Sequence, residues 1–479
     1  MTDLGLIQEV LDAGIRLPFE GAPHQFQIED LNSRARAKSQ LFSWGIGLGK
    51  TFAGLVTAGY KLLNGYDRAY VICPASIAYQ WKEVAEKMGF DTLLYAGTPT
   101  KRKELHFNHD IIIMSFEIFQ KSYDIIKNHQ GFYVVDEATI LSNPNNIFFK
   151  MFNGGVIKKK ITAPGRMKPD IKIIEYEAVN NGCCLLTATP SNNPSGLYGL
   201  IKTVAPEIYV NEFQFNRLHV SEENIFGAPA KFQNLELLKS NLESVASIRF
   251  VTDYLDLPEK IYNVVEYDLA PEHFQLYKKL MEERLLVVEG RIVVDALTAG
   301  ALYNLSQKII LSPDLAMYKK IPKGIELLEN IVRNNPQTLV VNHFNMTNEK
   351  LVKLFSDIGS GGVFGGISRA KQNETIKAFK EGRLRVLLTH PRSGGIGLNL
   401  QESCSNVVFP EIPVTANMLR QSEGRVWRQG QKERVVITML VARKTIQKTL
   451  LKRIMDRADV MQEVISTPKT LRQDLFPNE

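Results

Sequence analysis

The chain alternates short, unbroken apolar runs with amphipathic stretches, and it does so twice. In the first half the runs are Ala69-Tyr-Val-Ile-Cys73, Ile111-Ile-Ile-Met114, Phe132-Tyr-Val-Val135 and Cys183-Cys-Leu-Leu186. In the second they are Thr338-Leu-Val-Val341, Arg385-Val-Leu-Leu388, Asn406-Val-Val-Phe409 and Val435-Val-Ile-Thr-Met439. Strands that are apolar on both faces, each followed by a helix, read as parallel sheets covered on both sides. The expected fold class is α/β, with one parallel-sheet lobe in residues 1–228 and a second in 336–479. Residues 229–335 read as a mostly helical linker and the start of the second lobe, with 235–242 and 271–286 as candidate helices. In open sheets of this kind ligands sit at the carboxyl ends of the strands, so chemistry should directly follow the apolar runs.

Bulk properties narrow the class further. A chain of 479 residues is long for one domain and suits two or three. No run of about 18 apolar residues is present, so no membrane span is expected. Residues 1–14 carry Asp3, Glu9 and Asp12 without a basic start, unlike a signal peptide. The four cysteines form no C-x-x-C pair, which argues against a zinc site or disulfide framework and fits a reducing cytoplasm. A net charge of +7 favours a polyanionic partner without identifying one.

Four segments carry chemistry. Gly47-Leu-Gly-Lys-Thr51 lies between the apolar Leu41-Phe42 and a helix-like stretch. Glycines let backbone N–H donors approach a phosphate at a helix N-terminus. Lys50 would reach the β- and γ-phosphates, and the Thr51 hydroxyl would ligate Mg2+. The full phosphate-loop pattern fails at its first position, where Trp44 stands, and the other reading is a glycine turn with a surface lysine. Val134-Val-Asp-Glu-Ala-Thr139 places two acids at a strand end, Asp136 for magnesium and Glu137 for polarising the attacking water. A Asp-Glu pair there also suits a helix start. In Gln421-Ser-Glu-Gly-Arg-Val-Trp-Arg-Gln-Gly-Gln431, Arg425 and Arg428 share a face if the segment is helical, and both suit the charge developing on a γ-phosphate. Pairing with a local acid such as Glu423 is the alternative. Ser393-Gly-Gly-Ile-Gly-Leu-Asn-Leu400 offers backbone donors to an anion, either nucleotide or nucleic acid.

Taken in order, these residues resemble the SNF2 family of superfamily 2 helicase-like ATPases over nearly the whole chain. Pro23-His-Gln25 resembles the adenine-reading element, with Gln25 as the base contact. Residues 47–51 resemble motif I, Ile72-Cys-Pro-Ala-Ser76 with Trp81 motif Ia, and Ile113-Met-Ser-Phe-Glu117 motif Ib. Residues 136–139 resemble motif II in a DEAT form, and Leu186-Thr-Ala-Thr-Pro190 motif III. Asp256-Leu-Pro258 and Tyr277 resemble the passage into the second lobe. Residues 338–344, 393–400 and 421–431 resemble motifs IV, V and VI, and Thr445-Ile-Gln with the helix after it resembles the closing brace. Departures are Trp44 and Gly45 in place of two acids, Thr139 in place of histidine, and His390-Pro-Arg-Ser393.

The resemblance implies two RecA-like lobes that close on ATP and Mg2+, with Lys50, Asp136, Glu137, Arg425 and Arg428 catalytic. It implies Gln25, Gly47, Gly49, Lys50, Thr51, Gly395 and Gln421 on the nucleotide, and Thr51 and Asp136 on the metal. It implies duplex DNA as the track, gripped through Ser76, Ser115, Ser393 and Asn399. Phosphate gripping of this kind is sequence-tolerant and salt-sensitive.

Residues 155–177, between the second and third motifs, read as two strands around a Pro/Gly turn carrying Lys158, Lys159, Lys160, Arg166, Lys168 and Lys172. This basic hairpin is expected to touch DNA and sense a junction or split strands. The other reading is a solvated edge whose lysines deter strand pairing. The compact chain suggests a monomeric bacterial or bacteriophage enzyme acting in the cytoplasm on branched replication or recombination DNA, beside proteins of those processes. Three rival functions are weighed from sequence: a strand-separating helicase on RNA or single-stranded DNA, an ATP-gated DNA clamp that does not travel, and a motor subunit of a restriction complex, which would need a nuclease on another chain.

Overall fold

The computed structural model describes residues 4–161, 170–223, 229–283, 285–288, 291–295, 299–312, 319–391, 398–465 and 471–475. The chain divides into two compact units, Met1–Tyr254 with Glu463–Ser466, and Leu255–Gln462 with Thr467–Glu479.

The strands of the first unit are β1 (Gln40–Trp44), β2 (Ala69–Cys73), β3 (Thr92–Leu94), β4 (Ile111–Ser115), β5 (Phe132–Asp136), β6 (Gly155–Ile161), β7 (Asp170–Tyr176), β8 (Cys183–Thr187), β9 (Val220–Glu223), β10 (Pro229–Phe232) and β11 (Ala246–Arg249). Among the described residues, seven of them form one sheet in the order β11-β1-β8-β5-β2-β4-β3, with every pairing parallel. Strands β1, β2, β4, β5 and β8 are buried at every position, as expected for a sheet covered on both faces. The helix Lys50–Leu63 lies close against this sheet at Gly54. A Cβ there would come 2.9 Å from Leu186 and 3.1 Å from Trp81. Strands β6 and β7 form the hairpin expected from sequence, antiparallel from Gly155 opposite Tyr176 to Ile161 opposite Asp170.

The second unit contains β12 (Lys260–Tyr267), β13 (Leu285–Val288), β14 (Arg291–Asp295), β15 (Thr338–Val341), β16 (Ser360–Val363), β17 (Val386–Thr389), β18 (Asn406–Phe409) and β19 (Val435–Ala442). Six of these form an all-parallel sheet in the order β12-β19-β18-β15-β17-β16. Alternate residues of β15 face opposite cores: Leu339 and Val341 join one cluster, and Val340 joins the other.

The α/β class and the two parallel sheets agree with the sequence reading. Segment 229–335, read as mostly helical, contributes an edge strand to each sheet, β11 to the first and β12 to the second. The candidate helix at 271–286 ends at Glu283, and Leu285 and Leu286 belong instead to β13 of a small ribbon. The last long helix runs Ile446–Ile465, where the brace was expected. None of the helices among the described residues is long and apolar enough to cross a membrane.

Candidate nucleotide site and nucleic-acid surface

In the first unit the phosphate-loop candidate joins β1 to the helix Lys50–Leu63, at the carboxyl end of the sheet. Gly47 and Gly49 have φ of 89° and 83°, the left-handed region that glycine adopts without strain. A side chain at Gly49 would collide with the Gln27 amide. Gln27 is buried, donates 3.0 Å to the Leu48 carbonyl, and accepts 2.9 Å from the His24 N–H as the capping residue of the helix Gln25–Arg34. Gln25 is exposed and its amide donates to Glu29 at 3.0 Å. The loop is therefore held by Gln27, two positions beyond the glutamine singled out from sequence. A glutamine three residues after a helix-starting position was the signal for it.

Lys50 Nζ donates to the carbonyls of Trp44 (2.8 Å) and Gly45 (3.1 Å). Thr51 is half-buried in the first turn of the same helix. Trp44, which stands in place of an acid, donates its indole N–H 2.9 Å to Ser247. Ser247 in turn donates to Asp30, which also accepts from Nε and Nη2 of Arg249. That buried chain of polar groups anchors the loop's entry strand.

Two strands from the loop, β5 ends at Asp136. Its carboxylate accepts from the Trp81 indole N–H at 2.8 Å through Oδ2 and from the Glu137 N–H at 2.9 Å through Oδ1. Glu137 itself has φ 55°, a strained backbone for a non-glycine residue, of the kind that collects at functional sites. Burial raises Asp136, while Trp81, Lys50 and the Glu137 N–H oppose the rise. Burial and the Asp136 charge raise Glu137 to about 7, against the pull of Lys50. An oriented carboxylate, a lysine, a threonine and a glycine loop at one sheet end are the donor set that a nucleoside triphosphate with Mg2+ requires.

Ser115 caps the helix Phe116–Lys121, its oxygen accepting from the Ile118 N–H at 3.2 Å, and Ser76 is half-buried before the helix Ala78–Lys87. Lys158 is exposed on β6, and Lys159 and Lys160 follow it on the strand. The lysines do not form a purely basic face, because Lys158 lies opposite Ile173 and Lys160 opposite Ile171.

In the second unit the arginine segment is not one helix. The helix Ala416–Glu423 ends before Arg425, so Arg425 and Arg428 are placed by contacts rather than by helical spacing. Arg425 is buried and donates to Thr389 Oγ1 (3.2 Å) and the Pro391 carbonyl (2.7 Å) at the end of β17. Arg428 donates to the side-chain Oδ1 of Asn399, which joins the fifth and sixth motif segments. Burial lowers both guanidinium groups, Arg425 to about 10. Glu423 does not pair with either. It accepts from Lys260 (3.0 Å) and the Tyr262 hydroxyl (2.7 Å), and Lys260 lies 4.3 Å over the Trp427 ring. Gln421 is half-buried near the helix end. Ser393 and Gly395 lie outside the described residues.

Residues 31–162 match the model of the SNF2-related domain, and residues 320–430 match the helicase conserved C-terminal domain. Nuclear protein STH1/NPS1 of Saccharomyces cerevisiae is 24% identical over 476 residues, covering 88% of this chain and 33% of that protein. Protein p41 of Acyrthosiphon pisum secondary endosymbiont phage 1 is 24% identical over 451 residues, covering 85% of this chain and 90% of that one. The chain thus spans about a third of the yeast relative and most of the phage one. The Sulfolobus solfataricus SWI2/SNF2 ATPase core in complex with dsDNA aligns over 94% of each chain with a TM-score of 0.42 and 18% identity.

Proposed function

We propose that this chain, which belongs to the SNF2 family of superfamily 2 helicase-like ATPases, is a DNA-stimulated ATPase that travels along duplex DNA. The observation that carries the reading is the joint placement of Lys50, Asp136 and Glu137 beside a left-handed glycine loop at one end of a parallel sheet. Gly47, Gly49, Lys50 and Thr51 hold the nucleotide's phosphates, and Thr51 and Asp136 hold Mg2+. Held there, Mg2+ would supply neutralisation of the phosphate charge. Glu137, ionised, orients the attacking water and takes its proton. Gln25 reads the base, and Gly395 and Gln421 complete the nucleotide contacts.

Arg425 and Arg428 stabilise the charge that develops on the γ-phosphate. Ser76, Ser115, Ser393 and Asn399 grip one strand's phosphates, with Lys158, Lys159 and Lys160 as a further contact. The hairpin supports branched replication or recombination DNA as the preferred substrate. The protein acts as a monomer in the cytoplasm of a bacterial or phage-infected cell, beside replication or recombination proteins.

The test is the ATPase rate with no nucleic acid, linear duplex, forked DNA, single strands and RNA, with Glu137→Gln as the blank. Duplex or fork stimulation of at least tenfold is expected. Stimulation by RNA or single strands alone would replace the reading with that of a strand-separating helicase.

A further inference from the structure

The hairpin of β6 and β7 turns an unusual face outward. Opposed residues of an antiparallel pair share a face. The register therefore sets Val156 with Glu175, Lys158 with Ile173, and Lys160 with Ile171 on one side. On the other side, Ile157 and Ile174 are half-buried, and the Tyr176 ring meets Tyr123 at 5.3 Å. Among the described residues the first side has no such cover: Val156 is 44%, Ile171 61% and Ile173 63% exposed. Lysines alone suffice to keep a strand edge soluble, so they do not account for three exposed branched aliphatics alternating with them. A two-stranded ribbon is marginal in water without an apolar face to cover, which makes bare isoleucines there a cost that solubility does not explain.

We propose that this face is a wedge for a DNA branch point, an inference that rests on the DNA reading above. Ile171 and Ile173 press against the terminal base pair of the branch while Lys158 meets the flanking phosphate. Aliphatic side chains entering between base steps are a known way to unstack and kink duplex DNA. Cations alternating with an apolar surface match a base face bordered by phosphates.

The experiment uses the full chain with forked DNA carrying 2-aminopurine in the base pair beside the branch, and linear duplex carrying the same label internally. The wild-type protein is expected to brighten the fork label severalfold and leave the linear label dark. Ile171→Ser with Ile173→Ser should abolish that brightening and bring the fork-to-linear ratio of ATPase stimulation to about one. Ile171→Leu with Ile173→Leu should retain both. Brightening of the serine variant equal to wild type would overturn the wedge. So would a dark fork with wild-type protein whose ATPase still responds to linear duplex, and in that case the DNA-motor reading survives. Loss of self-association in the serine variant by sedimentation, with unchanged fluorescence, would reassign the face to contacts between copies. Absence of any duplex stimulation would sink the motor reading and the wedge with it.

Discussion

Replacing Trp81 with phenylalanine removes the indole donor to Asp136 and keeps an aromatic ring in the same space. The lost bond is a buried 2.8 Å N–H to carboxylate contact. Hydrogen bonds to charged groups contribute about 1.5–3 kcal/mol, and each pKa unit corresponds to about 1.36 kcal/mol. Without the donor, the negative charge on Asp136 is less stable by that amount. Asp136 and Glu137 titrate together, and Glu137 already lies near 7 because burial and the Asp136 charge raise it. Activity requires the ionised forms, so it falls as pH drops through the pair's pKa. The acidic limb of kcat/KM for ATP should therefore sit near 7 in the wild type. In Trp81→Phe the Asp136 carboxyl rises, so the doubly ionised pair forms only at higher pH and the limb should move upward by at most about one to two units. Activity lost at neutral pH should return in alkaline buffer. A cavity left by the smaller ring would lower stability but would not displace the limb. A folded variant whose limb stays at the wild-type pH would refute the assignment of the indole as the group that holds Asp136 ionised.

Two further outcomes concern the second unit. Glu411 is 4% exposed, and its Oε1 has no hydrogen-bond partner among the described residues. Burial raises its carboxyl to about 8 from an ordinary 4.5. Its contribution to stability is complete below the ordinary value and is lost as pH rises toward about 8. Glu411→Gln should flatten that slope and stabilise the unit at pH 8 by at most about 5 kcal/mol. Urea midpoints at pH 5 and 8 that move together in both proteins would contradict this. Glu423→Ala should destabilise the unit by about 3–5 kcal/mol, because Lys260 is only 15% exposed and would lose its buried counter-charge. A change below about 0.5 kcal/mol in urea unfolding would show that the Trp427 ring alone holds the ammonium.

Strands with full burial on both faces were legible because parallel strands announce themselves as unbroken apolar runs. Ala69–Cys73, Thr338–Val341 and Asn406–Phe409 fall where the runs placed them. The sheet margins were not legible. Strand β16 reads Ser-Gly-Gly-Val, which offers no side-chain pattern, and β12 is half-buried over much of its length. Their pairing is a decision of the tertiary fold.

At the candidate site, the glycine loop and the Asp-Glu pair could be read because their chemistry is local. The capping-box spacing marks Gln27 as a helix-start residue, but its hold on the loop is not legible, since only the fold brings residue 27 under the loop 21 positions later. The helical spacing considered for Arg425 and Arg428 failed because the helix ends at Glu423. Their guanidinium groups are instead set by Thr389, Pro391 and Asn399, partners that no local spacing identifies. Trp81 could be matched to a motif, but its bond to Asp136 joins positions 55 residues apart.

The central claim is movement along duplex DNA driven by ATP, and displacement of a labelled third strand from a triplex at the end of a duplex tests it most directly. The account predicts displacement by the wild-type protein with ATP, none with a non-hydrolysable analogue, and none with Glu137→Gln. A protein whose ATPase is stimulated by duplex while the third strand stays bound would contradict it, and would identify an ATP-gated clamp instead.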